Sequence, residues 1–277
     1  MPRLKFSPLA AASLVTVIVA TLLIIFGTPS SFLSIEGLII VVGGSLLNAF
    51  MSFSKADVLK AVDAIRHMLD QPPPSPNKLH RDILRILMWS HTVQTKDFLG
   101  LEKEIAGKVS DPLLRYGLDM VVTGYSSGQI RDMMHTVTDA EFERRNVPVT
   151  ILRNAAATAP AFGMVGTLIG MVVLLNNVGT EFSTLGSGLA LAMLSTLYGI
   201  LVARLVCLPA ADKLTQKEEQ EHFRYDMIAE GLALLAEKHK PYYIQDKLNS
   251  FLEPSRQLNF SAHMMFSNRH PATLAAA

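Results

Sequence analysis

Four apolar stretches lie along the chain, at roughly residues 8–26, 34–53, 155–177 and 186–208, and charge is nearly absent inside them. From Phe6 to Ser54 the one charged residue is Glu36; from Asn154 to Ala203 it is Glu181. Each stretch matches the length, about 20 apolar residues, that a helix needs to cross a hydrocarbon core. The first follows Arg3 and Lys5, as a signal peptide would. Its apolar run of about 19 residues is longer than a typical signal core, however, and no A-x-A cleavage site follows. It is therefore expected to remain as a spanning helix.

Between the second and third stretches the pattern becomes amphipathic with helical period. "KADVLKAVDAIRHMLD" places Val58, Ala61, Val62, Ile65 and Leu69 on one face, and "QPPPSP" ends that helix. "NKLHRDILRILMWSHTV", with Asn77 as its cap, "DPLLRYGLDMVVTGY" and "SGQIRDMMHTVTDAEFERR" predict three more helices, broken at Gly124–Gly128. No alternating stretch of useful length predicts a strand. After the fourth span, "DKLTQKEEQEHFRYDMIAEGLALLAEKHK" carries the last helix onward into water. The expected fold is an all-α integral membrane protein with four transmembrane helices in two hairpins. A TM1–TM2 hairpin occupies 1–54, a cytoplasmic helical domain 55–150, a TM3–TM4 hairpin 151–210, and a cytoplasmic helix and tail 211–277.

Charge sets the orientation. The short connections "GTPSSFL" and "NNVGTEFSTL" contain no Lys or Arg. The amino terminus, the middle segment and the tail hold 24 of the 25 basic residues, Arg204 being the exception. Basic residues stay on the cytoplasmic side, which predicts that both termini and the middle segment are cytoplasmic. Composition then narrows the function classes. At 49% hydrophobic with a mean hydropathy of +0.30, the chain is more apolar than a soluble domain requires. A net charge of +1 gives no field for nucleic acid. The single Cys207 excludes an internal disulfide and fits a reducing compartment. "GMVGTLIG" lacks the Lys-Ser/Thr of a phosphate loop, and the eight histidines show no metal-ligand spacing. No catalytic residue, metal or cofactor is expected.

The third span, "NAAATAPAFGMVGTLIGMVVLL", tolerates features that an ordinary membrane helix avoids. Thr167 lies roughly 18 Å in from Ala155, and Thr196 of the fourth span roughly 18 Å in from Leu208, so both hydroxyls fall near the midplane. Pro160 and Pro209, toward the cytoplasmic ends, free the carbonyls of Ala156 and Leu205. Two readings stay open. Gly163, Gly166 and Gly170 permit close helix packing, with threonines bonding their own preceding turns. Alternatively, hydroxyls and freed carbonyls line an ion path hinged at the prolines. An ion relay needs an ionisable group, and the last two spans contain no acid. Glu36 is expected near the external end of the second span, as an interfacial or subunit-contact residue. A relay carboxylate would come from another chain. Arg204, one turn from the cytoplasmic edge, is expected to snorkel to the headgroups or to touch a neighbouring subunit.

"APAFGMVGTLIGMV" followed by "LGSGLALAMLSTLYGILVARLVCLPAADKL" closely resembles the third and fourth membrane helices of the MotA/PomA family, the A subunits of bacterial flagellar stators within the MotA/TolQ/ExbB proton-channel superfamily. "LIIVVGGSLLNAF" is similar to the family's second helix, and "MIAEGLALLAEKHKPYYIQDKLNSFL" to its cytoplasmic tail. The resemblance implies an inner-membrane homo-oligomer, five A subunits around two B subunits of MotB/PomB type. The membrane aspartate of each B subunit carries H+ or Na+, and the A ring turns and pushes the rotor protein FliG. It also implies residue roles. Pro160 and Pro209 match the coupling prolines, Thr167 and Thr196 match hydroxyls of the ion path, and Gly163, Gly166 and Gly170 would face the partner helix. Glu102, with Glu104 and Lys96, matches the rotor contact. Gln94 stands where the family usually has a basic residue, and Arg204 where it usually has asparagine. The alternatives are an ExbB/TolQ-like energiser, which generally has three spans, and a passive membrane scaffold. Neither the choice between H+ and Na+ nor a role for residues 257–277 follows from these residues.

Overall fold

The structure, a computed structural model, describes residue 19 and residues 33–67, 77–105, 109–176 and 182–258. Among the described residues all regular structure is helical. The predicted first span, the "QPPPSP" break and most of the tail lie outside them, as does the greater part of the connection between the last two spans. Among the described residues, three helices are long and apolar enough to cross a membrane. The chain divides into two compact units: residues 1–71 with 146–215, and residues 72–145 with 216–277.

The first unit holds the spans. Helix α1 (Ile35–Ser52) is capped by Ser34, whose hydroxyl accepts from the Gly37 N–H at 3.2 Å. Its middle, Ile39–Gly43, is a π-helical turn. Helix α2 (Lys55–His67) packs here, with Val58 and Ala61 buried beside Ala49, Val149, Ile151, Leu152, Ala210 and Ala211. The unit therefore extends past residue 54, because the apolar stripe of α2 finds its partners at the base of the spans. A second cluster joins Val41 to Ala156, Ala159, Ala203 and Cys207. Its members are small, so helix axes approach closely.

The second unit is built from helices α3 (Asn77–Ile105) and α4 (Pro112–Thr123), part of α5 (Ser127–Asn176), part of α7 (Leu208–Ala236), and α8 (Pro241–Asn249). A 3-10 turn at Pro254–Arg256 follows. Helix α4 begins as its sequence predicts. The Asp111 carboxylate accepts from the N–H groups of Leu113 and Leu114, and Pro112 occupies the first turn, where its missing N–H costs nothing. It stops at Gly124, whose φ of 89° is the left-handed cap that glycine adopts without strain. The core is of large aliphatic side chains: Ile83, Ile86, Leu87, Leu114, Leu118, Ile130, Met134, Ile228, Leu232 and Leu235 are wholly enclosed.

A charged hub lies within this second unit. Arg224 is buried, and its guanidinium reaches Asp82 at 2.5 Å, Asp111 at 2.8 Å and Glu221 at 2.9 Å. Burial alone would lower the pKa of Arg224, but the bonds to these three carboxylates outweigh it and hold the group above the ordinary arginine range. Tyr225 donates to Asp111 at 3.1 Å, and its burial there pushes its pKa up to about 12.

Candidate functional site

The last two spans meet through their smallest residues. Helix α6 (Phe182–Leu201) runs alongside the membrane part of α5, and five glycines line the seam. A Cβ on Gly163 would lie 3.0 Å from the Ser195 carbonyl and 3.2 Å from Thr196 Cα. One on Gly170 would lie 2.7 Å from the Ala192 nitrogen, and one on Gly199 2.8 Å from the Ala159 carbonyl and 3.1 Å from Pro160 Cα. Gly166 faces the Ser195 side chain, and Gly188 faces Leu174. Expected to face a helix of another chain, Gly163, Gly166 and Gly170 instead each face α6 of their own chain. A hairpin with so short a connection brings its two helices together as antiparallel neighbours, and glycines let their backbones approach.

The hydroxyls divide into two kinds. Thr167 donates to the Met164 carbonyl at 2.6 Å, within its own helix. Ser195, wholly buried, donates to Leu191 and Ala192 carbonyls at 2.8 and 3.0 Å. Among the described residues the half-buried Thr196 hydroxyl has no hydrogen-bond partner. Thr196 sits opposite Gly163, one helical turn from Thr167, while Gly199 on the next turn touches Pro160. The structure thus gathers Pro160, Gly163 and Thr196 within about one turn of the seam, with Thr167 about 6 Å from Gly163 on the other side along the axis. Pro209 lies apart, directly after a second π-helical turn, Val202–Cys207, in which the Leu208 N–H reaches back five residues to Ala203. Arg204 is exposed on that turn. The two π turns meet through Val41, Ala203 and Cys207 in the small-residue cluster beside Pro160.

Several polar contacts of this unit were not visible in the sequence. Asn48 donates to Asn154 at 2.9 Å between α1 and α5. The Ser34 N–H donates to the Tyr198 hydroxyl at 2.8 Å across 164 residues. Along α1, positions 48, 44 and 40 meet Asn154, Phe162 and Gly166 in turn. The next position of that stripe is Glu36, which this register places opposite Gly170. Glu36 is the second residue of α1, in its first turn, and so lies at the end of that span remote from α2. Its carboxylate is exposed and accepts from the Ser34 hydroxyl at 3.1 Å.

The rotor-facing candidates lie in the second unit on α3, whose regular helix breaks at Asp97 (φ 60°, ψ −174°). Lys96 and Glu102 are exposed and make no ion pair among the described residues; Glu104 belongs to the same helix. Gln94 does not supply a charge but donates to the His239 carbonyl at 3.3 Å, which Ser90 also reaches at 3.2 Å. The ion pair at this corner is formed by Asp97 and Lys238 at 2.8 Å, with the Lys238 ammonium over the Phe98 ring. The Lys238 bond holds the Asp97 carboxyl below the usual range.

Comparison with known proteins agrees with this geometry. Residues 106–253 match the model of the MotA/TolQ/ExbB proton channel family. Motility protein A of Borreliella burgdorferi is 36% identical over 182 residues, which is 65% of this chain and 69% of that protein. The flagellar MotAB stator complex from Bacillus subtilis contains a chain 26% identical with a TM-score of 0.74, covering 89% of this chain and 98% of that one. MotAB of C. jejuni shares the fold at a TM-score of 0.80 and 20% identity, over 92% of this chain and 99% of its counterpart. The chain belongs to the MotA/TolQ/ExbB proton channel family, among the A subunits of the membrane-embedded stators that drive bacterial flagella.

Proposed function

We propose that this subunit sits in the bacterial inner membrane as a four-span protein with both termini cytoplasmic. It assembles five copies around two MotB/PomB-type subunits and turns as H+ or Na+ passes the membrane aspartate of that partner. Residues 1–54 and 151–210 form the two hairpins. The helices of 55–150 and 211–277 carry the motion toward FliG through the part of α3 bearing Lys96, Glu102 and Glu104. No catalytic residue, metal or cofactor takes part; the ion is cargo.

The observation that carries this reading is the single turn of the seam that holds Pro160, Gly163 and Thr196. There a helix lacks one backbone N–H, two backbones nearly touch, and a hydroxyl has no partner among the described residues. Polar groups inside a bilayer are retained where they serve transport. A hydroxyl that replaces part of an ion's hydration contributes about 1.5–3 kcal/mol, a factor of roughly ten to a hundred in an ion step. Thr196→Val preserves volume and removes only that group. Pro160→Ala restores a regular helix and stiffens the hinge. Both variants are expected to assemble with the B subunit, measured by membrane levels and pull-down, and to lose rotation in tethered cells. Normal rotation in both would leave these residues as packing alone. Orientation is tested by cysteine labelling from outside, which should reach a probe at Ser31 or Thr180 and not one at Ser75.

A further inference from the structure

Three helices of the membrane unit depart from regular α geometry, and they do so at one place. Helix α1 has its π turn at Ile39–Gly43, and the chain passes from α6 to α7 through the other, Val202–Cys207. Helix α5 has Pro160, whose ring displaces the carbonyl of Ala156 one turn earlier. One buried cluster brings the three together: Val41 of the first π turn, Ala203 and Cys207 of the second, and Ala156 and Ala159 on the turn before the proline. None of these side chains is larger than valine.

A π turn closes its hydrogen bond over five residues where an α turn closes over four, so each holds one residue more than a regular helix needs. In α1 the Val41 carbonyl takes a bond from the buried Ser45 hydroxyl at 2.7 Å, which serves a backbone that hydrocarbon cannot. In the second turn the Leu208 N–H reaches the Ala203 carbonyl. With one residue removed between them, that same bond is an ordinary α-helical one, and the faces on either side keep their places. A spare residue can also travel. As a π turn moves along its helix, the segment it passes over rotates by about 100°, one residue's worth, while both ends stay fixed. Large interlocked side chains resist such rotation; a cluster of alanines, one cysteine and one valine has little to interlock.

We propose that the two π turns form a sliding joint, in which α1 and the α6–α7 helix turn about their own axes against α5 as the motor steps. The joint presupposes the reading of this chain as an ion-driven stator subunit. Pro160 bends one helix, whereas the π turns let two others rotate without bending. The movement is taken up at 39–43 and 202–207, and the spare residue of each turn is what makes it possible.

The test is deletion of single residues in the full chain, expressed with its B partner. Val42 and Val206 are exposed members of the two π turns, and Met193 is exposed in the regular part of α6. Deletion of Met193 turns residues 194–201 by about 100° and takes Ser195, Thr196 and Gly199 off the seam, so no complex should form. Deletion of Val42 or of Val206 should leave the complex in near wild-type amounts, by membrane level and pull-down, yet stop rotation in tethered cells. Val42→Ala and Val206→Ala, which keep the residue count, should rotate as the wild type does. Loss of complex on deleting Val42 or Val206 overturns the proposal, because that turn then has no residue to spare. Normal rotation after either deletion overturns it too, as does a complex that forms without Met193 or a motor stopped by either alanine. Rotation of the wild type stands for stator function whichever way the deletions behave.

Discussion

The two units of this chain are held together by opposite means. In the membrane unit the contacts are between backbones: Gly163, Gly170, Gly188 and Gly199 leave no room for a Cβ, and the serine and threonine hydroxyls mostly bond their own helices. In the other unit, leucines, isoleucines and methionines fill an enclosed core, with one arginine and three carboxylates gathered beside it. The difference follows from the solvent. In water, burying an aliphatic side chain contributes about 1.5–3 kcal/mol, so large residues are drawn inward. In lipid that drive is absent, because the tails are as apolar as leucine. What remains is close packing, which small residues serve best. Large apolar side chains of the membrane unit accordingly point outward: Met164, Leu168, Leu175, Met193 and Leu189 are half or more exposed.

The comparison breaks most readily at Arg224. Arg224→Leu leaves Asp111 without its cation and Asp82 with Arg85 alone, and should destabilise the second unit by about 3–5 kcal/mol. Hydrogen exchange on the detergent-solubilised chain would show it as faster exchange in residues 77–105 and 216–236, with the spans little changed. Equal loosening of both units would mean that they do not differ as described. The converse variant is Gly170→Leu, whose side chain meets the Ala192 backbone nitrogen. Overpacking of this kind costs about 1–3 kcal/mol, read as faster exchange confined to residues 155–176 and 186–201 and as lower membrane levels.

A smaller effect, of opposite sign, is expected at the corner of α3. Asp97 occupies a backbone region that is strained for any residue with a Cβ, worth about 1–3 kcal/mol. Asp97→Gly removes that strain but also the exposed ion pair to Lys238, which water screens. Net stabilisation of about 1 kcal/mol is expected, measured as slower exchange in residues 98–105. The least change should come from Glu218→Gln. Burial raises the pKa of Glu218, so the folded state holds its proton more tightly than the unfolded chain does. Its cost to stability is full at neutral pH and disappears as pH falls through the raised value toward the ordinary glutamate range. The Gln variant should therefore be the more stable at pH 7, by about 0.5 kcal/mol, and lose that advantage by about pH 4. A fixed difference across pH would mean that Glu218 is charged in both states alike.

Much of the architecture was legible because it is written in local pattern. Apolar length announced three spans now seen as helices, the break at Gly124 marked the end of α4, and the helical period of the middle segment excluded strands. The misplaced parts depend on residues distant in sequence. The glycines of α5 revealed that something approaches closely but not what, and α6 took the place assigned to a foreign helix. The offset between α1 and α5 was hidden too, because hydropathy measures length; it follows from Asn48 meeting Asn154 and Tyr198 meeting Ser34. The break at Asp97 carries no glycine or proline to announce it. Nor did composition single out Arg224 among 25 basic residues, since its partners lie 142, 113 and three positions away.

The glycine seam has a consequence for how the protein is made. Because both of its faces belong to one chain and only residues 177–181 separate their helices, the seam closes as a unimolecular event, at a rate independent of how many copies the membrane holds. A newly synthesised subunit can leave the insertion machinery with its last two helices already zipped, before any other polypeptide is present. Expression of the A subunit ahead of its partner then leaves no open glycine groove to pair wrongly. The order in which the two genes are read becomes a matter of supply rather than of folding.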